Sequence, residues 1–189
     1  MPAPVQGEFA VSVIRKFDRL DASVCRLLNR GSRADVVRRG FGLISRLGDG
    51  VFWYLLMALL PLVAGREGAL ISLQMGVTAI AGALIYRQIK SRFGRERPYV
   101  SHDEILCAVP PLDRFSFPSG HTLHAVSFSS ILCVYYPVLA LVLLPFTLLV
   151  ALSRMILGLH YPTDVLVGAA IGAASALFSF QVTGYPLNW

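Results

Sequence analysis

The sequence predicts an all-α protein: a polytopic transmembrane helical bundle of about five spans, preceded by a basic amphipathic helical arm. Three observations carry this expectation. Hydrophobic residues make up 55% of the 189 residues and charged residues only 15%, where a soluble domain has roughly 25% charged. The mean hydropathy is +0.62. The apolar residues are gathered into long runs separated by short charged segments, the pattern of spans and loops rather than of a soluble core. The length suits a single domain, divided into an interfacial arm over residues 1–47 and a transmembrane unit over residues 48–189.

In the arm, Val13, Ile14, Phe17, Leu20, Val24, Leu27 and Leu28 recur at helical spacing, and Arg15, Lys16, Arg19, Arg26 and Arg30 fall mainly on other faces. Such a helix serves equally to lie on a membrane surface or to pack on the rest of the protein. A second amphipathic piece, with Val36, Val37, Phe41, Ile44 and Leu47, leads to a turn at Gly48-Asp49-Gly50. Five apolar runs follow, at residues 51–64, 69–86, 121–136, 138–159 and 165–182. A perpendicular crossing needs about 20 residues, so the second, fourth and fifth are ample. The first and third are short and must borrow flanking residues or sit where the bilayer is thin. Arg66-Glu67 punctuates the first pair, and the Tyr135-Tyr136 pair suits an interface. Gly168 and Gly172, four apart, permit close helix packing. The loop over residues 94–117 holds Pro98, Pro110, Pro111 and several charges; it lies outside the bilayer or caps a cavity.

The formal net charge is +6. Its placement between apolar runs points to anionic lipid headgroups and a phosphorylated lipid substrate as partners, together with the bilayer, and not to nucleic acid. The sequence leaves the oligomeric state open. Cys25, Cys107 and Cys133 have no metal-like spacing; Cys133 reads as a small core residue, and nothing requires an oxidising compartment. Residues 1–10 lack an apolar stretch with a cleavage site, so no signal peptide is expected.

Three clusters carry chemistry. Lys90 and Arg97 are seven apart, two helical turns. If the helix leaving the second run continues that far, both cations share a face and Pro98 ends it. Paired cations receive a dianionic phosphate, and Arg can grip two oxygens at once; a basic flank of a membrane helix is the blander role. Pro118-Ser119-Gly120-His121 opens the third run, so Ser119 and the Gly120 amide stand at a helix N-terminus that favours an anion. His121 exchanges protons near neutral pH; an ordinary turn and cap is the blander role. Ser153-Arg154, His160 and Asp164 place a histidine four residues before a carboxylate. The carboxylate can set the ring tautomer while the other nitrogen attacks; an interfacial ion pair is the blander role. Pro162 interrupts the helix between them, and Thr163 is placed to cap the next one. Followed through five spans, all three clusters fall on one side of the membrane.

In this order, Lys90-x6-Arg97-Pro98, Pro118-Ser119-Gly120-His121 and Ser153-Arg154-x5-His160-x3-Asp164 resemble the three motifs of the type 2 phosphatidic acid phosphatase family. The resemblance implies a helical bundle without metal or other cofactor. It implies His160 as nucleophile, Asp164 as its partner, His121 as general acid, and Lys90, Arg97, Ser119, Gly120 and Arg154 as holders of the phosphoryl oxygens. The implied activity is a lipid phosphate phosphatase acting on phosphatidate, phosphatidylglycerol phosphate or a polyprenyl phosphate or diphosphate through a phosphohistidine. Membrane members commonly have six spans; here the basic arm stands in place of the first. His124, one turn after His121, is placed to line the pocket or, more simply, to pack between helices. His102, Asp103 and Glu104 read as a solvated patch. A metal site from His121, His124, His160 and Asp164 is opposed by the neighbouring cations.

Two other functions fit parts of the pattern. Vanadate-dependent haloperoxidases resemble this family through the same anion site but are largely soluble. A protein that only binds lipid headgroups needs neither His160 beside Asp164 nor His121. The chain is expected in a bacterial-type cytoplasmic membrane. Of 17 Lys and Arg residues, 16 lie in the arm or on the motif side and only Arg66 lies opposite, which places the site on the cytoplasmic face. The family habit, a site facing away from the cytoplasm, implies the reverse.

Overall fold

The computed structural model describes the backbone of residues 6–184 and the side chains of residues 18–184. No strand occurs among them. The helices are α1 (Gln6–Asn29), α2 (Asp35–Arg46), α3 (Phe52–Phe93), α4 (Pro98–Ser101), α5 (Gly120–Tyr135), α6 (Ala140–Ile156) and α7 (Pro162–Thr183).

Helix α3 is two antiparallel arms. Gly65, at φ 55 and ψ −131, breaks it one residue before Arg66. Glycine takes this backbone without a Cβ penalty. Beyond the break the chain returns along itself: Ser72 Oγ donates to Met57 O at 2.6 Å, and a Cβ on Gly68 would come within 2.0 Å of Leu60 O. The first two expected runs are therefore a tight hairpin. The stretches Asp35–Ser101, Pro137–Ile156 and Pro162–Thr183 are long and apolar enough to cross a membrane. Helix α5, at 16 residues, is the short run seen in the sequence.

Helix α5 is the centre of the bundle, packed by α3, α6 and α7. Trp53, Met75, Phe128, Ile131, Leu132, Val150 and Phe180 form the core around it. The crossing with α7 is closest where a Cβ on Gly168 would lie 2.5 Å from Ser119 O, and one on Gly172 2.3 Å from Leu123 O. The glycine pair thus lets two backbones touch, as its spacing predicted. Outside, Leu70, Leu73, Val77, Ile80 and Leu84 form an exposed apolar stripe at helical spacing on the second arm of α3. Left in water, such a stripe would be a large apolar patch; in a bilayer it faces acyl chains.

The arm resolves into two faces. Asp21, Ala22, Cys25 and Asn29 are buried, and α1 packs on α6 and α7. Leu20, Val24 and Leu27 point outward. The described part of the helix therefore docks on the protein by its small and polar residues and leaves Leu20, Val24 and Leu27 exposed. The Val13, Ile14 and Phe17 part of the stripe lies outside the described side chains.

Gly172→Ala is expected to lower the melting temperature of the detergent-solubilised protein. Overpacking a backbone contact costs about 1–3 kcal/mol, more than the ~1 kcal/mol that alanine gains over glycine in a helix. Gly40→Ala in α2, where the added methyl meets nothing within 4 Å, is the control and should be neutral or stabilising. Equal melting of both variants would contradict the close crossing.

Candidate active site

Lys90, near the end of α3, and Arg97 meet, but not along one helix as the spacing suggested. The helix stops at Phe93, and Gly94 turns left-handed at φ 56. Arg97 is the extended residue before α4, so Pro98 begins a helix at its first position rather than ending one. The contact is made through a third residue. Asp113, in the polar loop, accepts from Lys90 Nζ at 2.5 Å and from Arg97 at 2.8 Å. Burial opposes the charged form of Asp113, but the hydrogen bond and charge of Lys90, joined by Arg97, hold it below the usual carboxylate range.

Arg97 is 1% exposed and donates further to Asp113 O at 3.0 Å and Leu159 O at 2.8 Å. Its NH1 also lies 3.3 Å from His160 Nε2. A guanidinium has no acceptor, so this Nε2 presents its lone pair and the ring proton sits on Nδ1. That nitrogen faces Asp164 Oδ2 at 3.7 Å, longer than a hydrogen bond. Burial pushes the His160 imidazole well below its ordinary value, and Arg154, Arg97 and Lys90 push it the same way. A neutral imidazole is the form a nucleophile requires; here its Nε2 lone pair is taken up by Arg97 NH1.

His160 is placed by the end of α6. Gly158, at φ 76, ends the helix in a left-handed turn, and the amides of Leu159 and His160 both donate to Arg154 O. Arg154, itself 3% exposed, donates to Ser45 Oγ of α2. Helix α7 then begins at Pro162. Its first turn is capped not by Thr163 but by Asp164, whose Oδ2 accepts the Tyr161 amide at 2.8 Å. Thr163 instead gives its amide to Asp21 of the arm at 3.0 Å.

The N-terminus of α5 closes the site. Its first amides have no intrahelical partner, and Gly120 and His121 line the same cavity as the cations. His121 Nε2 lies 3.3 Å from Asp49 Oδ1, a carboxylate delivered by the kinked turn before α3, where Gly50 has φ 115. A cavity of about 960 Å³ joins these groups: Lys90, Arg97, Asp113, Gly120, His121, Arg154 and His160 line its polar end. Its apolar end runs between Trp53, Met57, Gly76, Ala79, Ala83 and Phe128. His124 lines it too, stacked on Phe128. Ser119 and Asp164 do not line it. Ser119 is buried against Thr122 at 3.0 Å, and its amide donates to Asp164 O; Asp164 stands behind His160. Among the described residues, no three His, Cys, Asp or Glu side chains converge as ligands of a metal would.

Sequence reasoning missed Asp113, Asp49, Ser45, Arg95 and Asp21. Asp49 was visible only as a turn residue and Asp113 only as one loop charge. Asp21 was invisible because the basic residues of the arm drew attention to its charge rather than to this buried acid.

Residues 71–187 match the family model of the PAP2 superfamily. The chain is 34% identical over 143 residues to the decaprenylphosphoryl-5-phosphoribose phosphatase of Mycobacterium tuberculosis, covering 75% of this chain and 77% of that one. It is 25% identical over 177 residues to the lipid A 1-phosphatase of Rhizobium johnstonii, covering 77% and 72%. The crystal structure of Aquifex aeolicus LpxE superposes with a TM-score of 0.76 at 24% identity, over 86% of this chain and 95% of that one; that likeness concerns the fold.

Asp113 occupies Lys90 and Arg97, so an anion bound by these cations would have to compete with it. Asp113→Asn should tighten inhibition by orthovanadate roughly fivefold, the equivalent of about 1 kcal/mol for a half-exposed ion pair. Weaker inhibition would make Asp113 a prop for the two cations instead.

Proposed function

Because this chain belongs to the PAP2 superfamily and is a lipid phosphatase, we propose that it transfers phosphate from a lipid to His160 and then to water, without a metal. The observation that carries this is a buried His160, its Nε2 3.3 Å from Arg97 NH1, lining a cavity shared with Lys90, Arg97 and Arg154. Nε2 attacks phosphorus and the bond to the lipid oxygen breaks. His121 gives that oxygen its proton, with Asp49 beside it. His121 then takes a proton from water, which attacks the phosphohistidine and releases orthophosphate, freeing Nε2. Asp164 stabilises the charged ring. A phosphoryl transition state needs mainly positioning and charge, and three cations with the α5 N-terminus supply what a metal otherwise would.

The substrate is a phosphomonoester or diphosphate whose tail occupies the apolar end of the cavity. The relatives point to a polyprenyl-linked or glycolipid phosphate ahead of phosphatidate or phosphatidylglycerol phosphate. The exposed leucine, valine and isoleucine stripe disfavours a soluble oxidase, and the paired histidines disfavour a protein that only binds headgroups. In the bilayer, the two arms of α3 with α5, α6 and α7 make five spans, and α1 lies at the interface with Leu20, Val24 and Leu27 in lipid. The arm docks beside the motifs, since Asn29 Nδ2 donates to Ile156 O at 2.9 Å. Its basic residues therefore count with theirs, and the site faces the cytoplasm.

His160→Ala should abolish turnover while the protein still melts normally. Rapid quench of the native enzyme with labelled lipid phosphate, in a strong chelator, should trap an acid-labile, base-stable phosphoenzyme. Substantial turnover by His160→Ala would overturn the mechanism, and loss of activity in chelator, restored by a divalent ion, would overturn metal independence.

For orientation, Cys25, Cys107 and Cys133 are replaced and single cysteines placed at Asp103 or Glu67. In intact cells an impermeant thiol reagent should label the Glu67 position and spare the Asp103 position. The opposite pattern would put the site outside.

A further inference from the structure

We propose that Asp21 of the N-terminal arm and Arg95 are positioning residues: together they brace the Asp164 carboxylate behind His160. This rests on the reading of His160 and Asp164 as the reacting pair and gives the arm a part in catalysis.

Asp164 is 0% exposed, and a buried carboxylate without a partner is costly. Its two oxygens are used separately. Oδ2 takes the Tyr161 amide and faces His160 Nδ1. Oδ1 takes Arg95 NH1 at 2.8 Å. The guanidinium is therefore what turns this carboxylate so that Oδ2 is left for the imidazole.

Arg95 is in turn fixed on every side. NH1 donates to Thr163 Oγ1 at 2.7 Å and NH2 to Asp21 Oδ2 at 2.8 Å. Its plane lies 4.1 Å from the centre of the Tyr161 ring. Ser116 donates its amide to Arg95 O at 2.8 Å, pinning the backbone. Asp18 adds a weaker contact at 3.6 Å.

Asp21 closes the arrangement. It is 4% exposed, accepts the Thr163 amide on Oδ1, and holds both the Thr163 hydroxyl and Arg95 on Oδ2. One carboxylate thus ties the first turn of α7 to the guanidinium that orients the other. The same face of α1 continues the contact: Cys25 Sγ lies 3.7 Å from His160 O, and Asn29 Nδ2 holds Ile156 O and Leu106 O. Neither Arg95 nor Asp21 lines the cavity, so both act through Asp164. A structural ion pair with the same distances would change stability but not the chemical step alone.

The test is a mutant cycle on the full-length protein in detergent, with farnesyl phosphate in micelles as probe. Arg95→Gln should lower kcat about 10- to 100-fold, the usual loss when the outer partner of a functional group is removed. KM and orthovanadate inhibition should stay within about twofold of the native values. Asp21→Asn should act in the same direction with a smaller loss. In an Asp164→Asn background, Arg95→Gln should add less than about a twofold loss, because its route to the reaction is already cut. If Arg95→Gln melts early, Arg95→Lys replaces it: one ammonium cannot serve Asp21 and Asp164 together, and kcat should again fall about tenfold. Native kcat in these Arg95 variants, or full additivity with Asp164→Asn, overturns the brace. Native activity in Asp164→Asn overturns the underlying pair instead, so the two failures are distinct.

Discussion

Lys90, Arg97 and Arg154 are buried around one cavity, and much of the molecule follows from the need to keep three like charges there. Each desolvated cation is costly, and near neighbours raise that cost. Each is delivered by a different element: an extended helix end, a loop and the last turn of α6. Their counter-groups also come from afar. Asp113 arrives on the polar loop, Ser45 on α2, and Asp49 on the kinked turn between the arm and the bundle. Those segments look peripheral in a hydropathy profile, but they are the means by which the charge is held without a ligand.

Helix termini shape the same field. Helices α5 and α7 both begin at the site, and the Ser119 amide on Asp164 O joins the two starts. The glycine pair of α7 lets these helices touch, so their N-terminal ends lie side by side and add to the positive field. Helix α6 contributes from its other end, where Gly158 reverses the chain and brings His160 back over Arg154. Packing and electrostatics are thus one problem: the backbone contact that makes the bundle compact also sets the distance between the groups that would react.

The bundle and the meeting of His160 with Asp164 were legible in the sequence because both have periodic or fixed-spacing signals. Long apolar runs announce helices in lipid, and a histidine four residues before an acid announces a pair. The Gly168 and Gly172 contact was readable for the same reason. The carriers of Lys90 and Arg97 were misread: spacing by two turns invites a single helix, but Gly94 has no partner pattern that reveals its left-handed turn. Asp113, Asp49 and Arg95 act across the fold on residues distant in sequence, and isolated loop charges carry no mark of that. The arm was ambiguous because its two faces differ: one packs on α6 and α7, and the other is exposed. Its apolar residues look outward, and its acid, cysteine and asparagine look in.

The seat of Asp113 has a consequence for selectivity. A carboxylate fastened to the chain is present at a fixed, high local concentration and never diffuses away. It opposes every incoming anion to the same extent, whether a free orthophosphate, a nucleotide or a lipid. A small anion has nothing else to offset that opposition, whereas an amphiphile gains from each methylene it lays along Ala79, Ala83 and Met57. Under the proposed function, the tethered acid therefore weakens the binding of small free anions and bilayer-anchored cargo alike, but the cargo recovers the loss through its tail, so the protein's own side chain tilts occupancy towards lipid over the phosphate of the surrounding water.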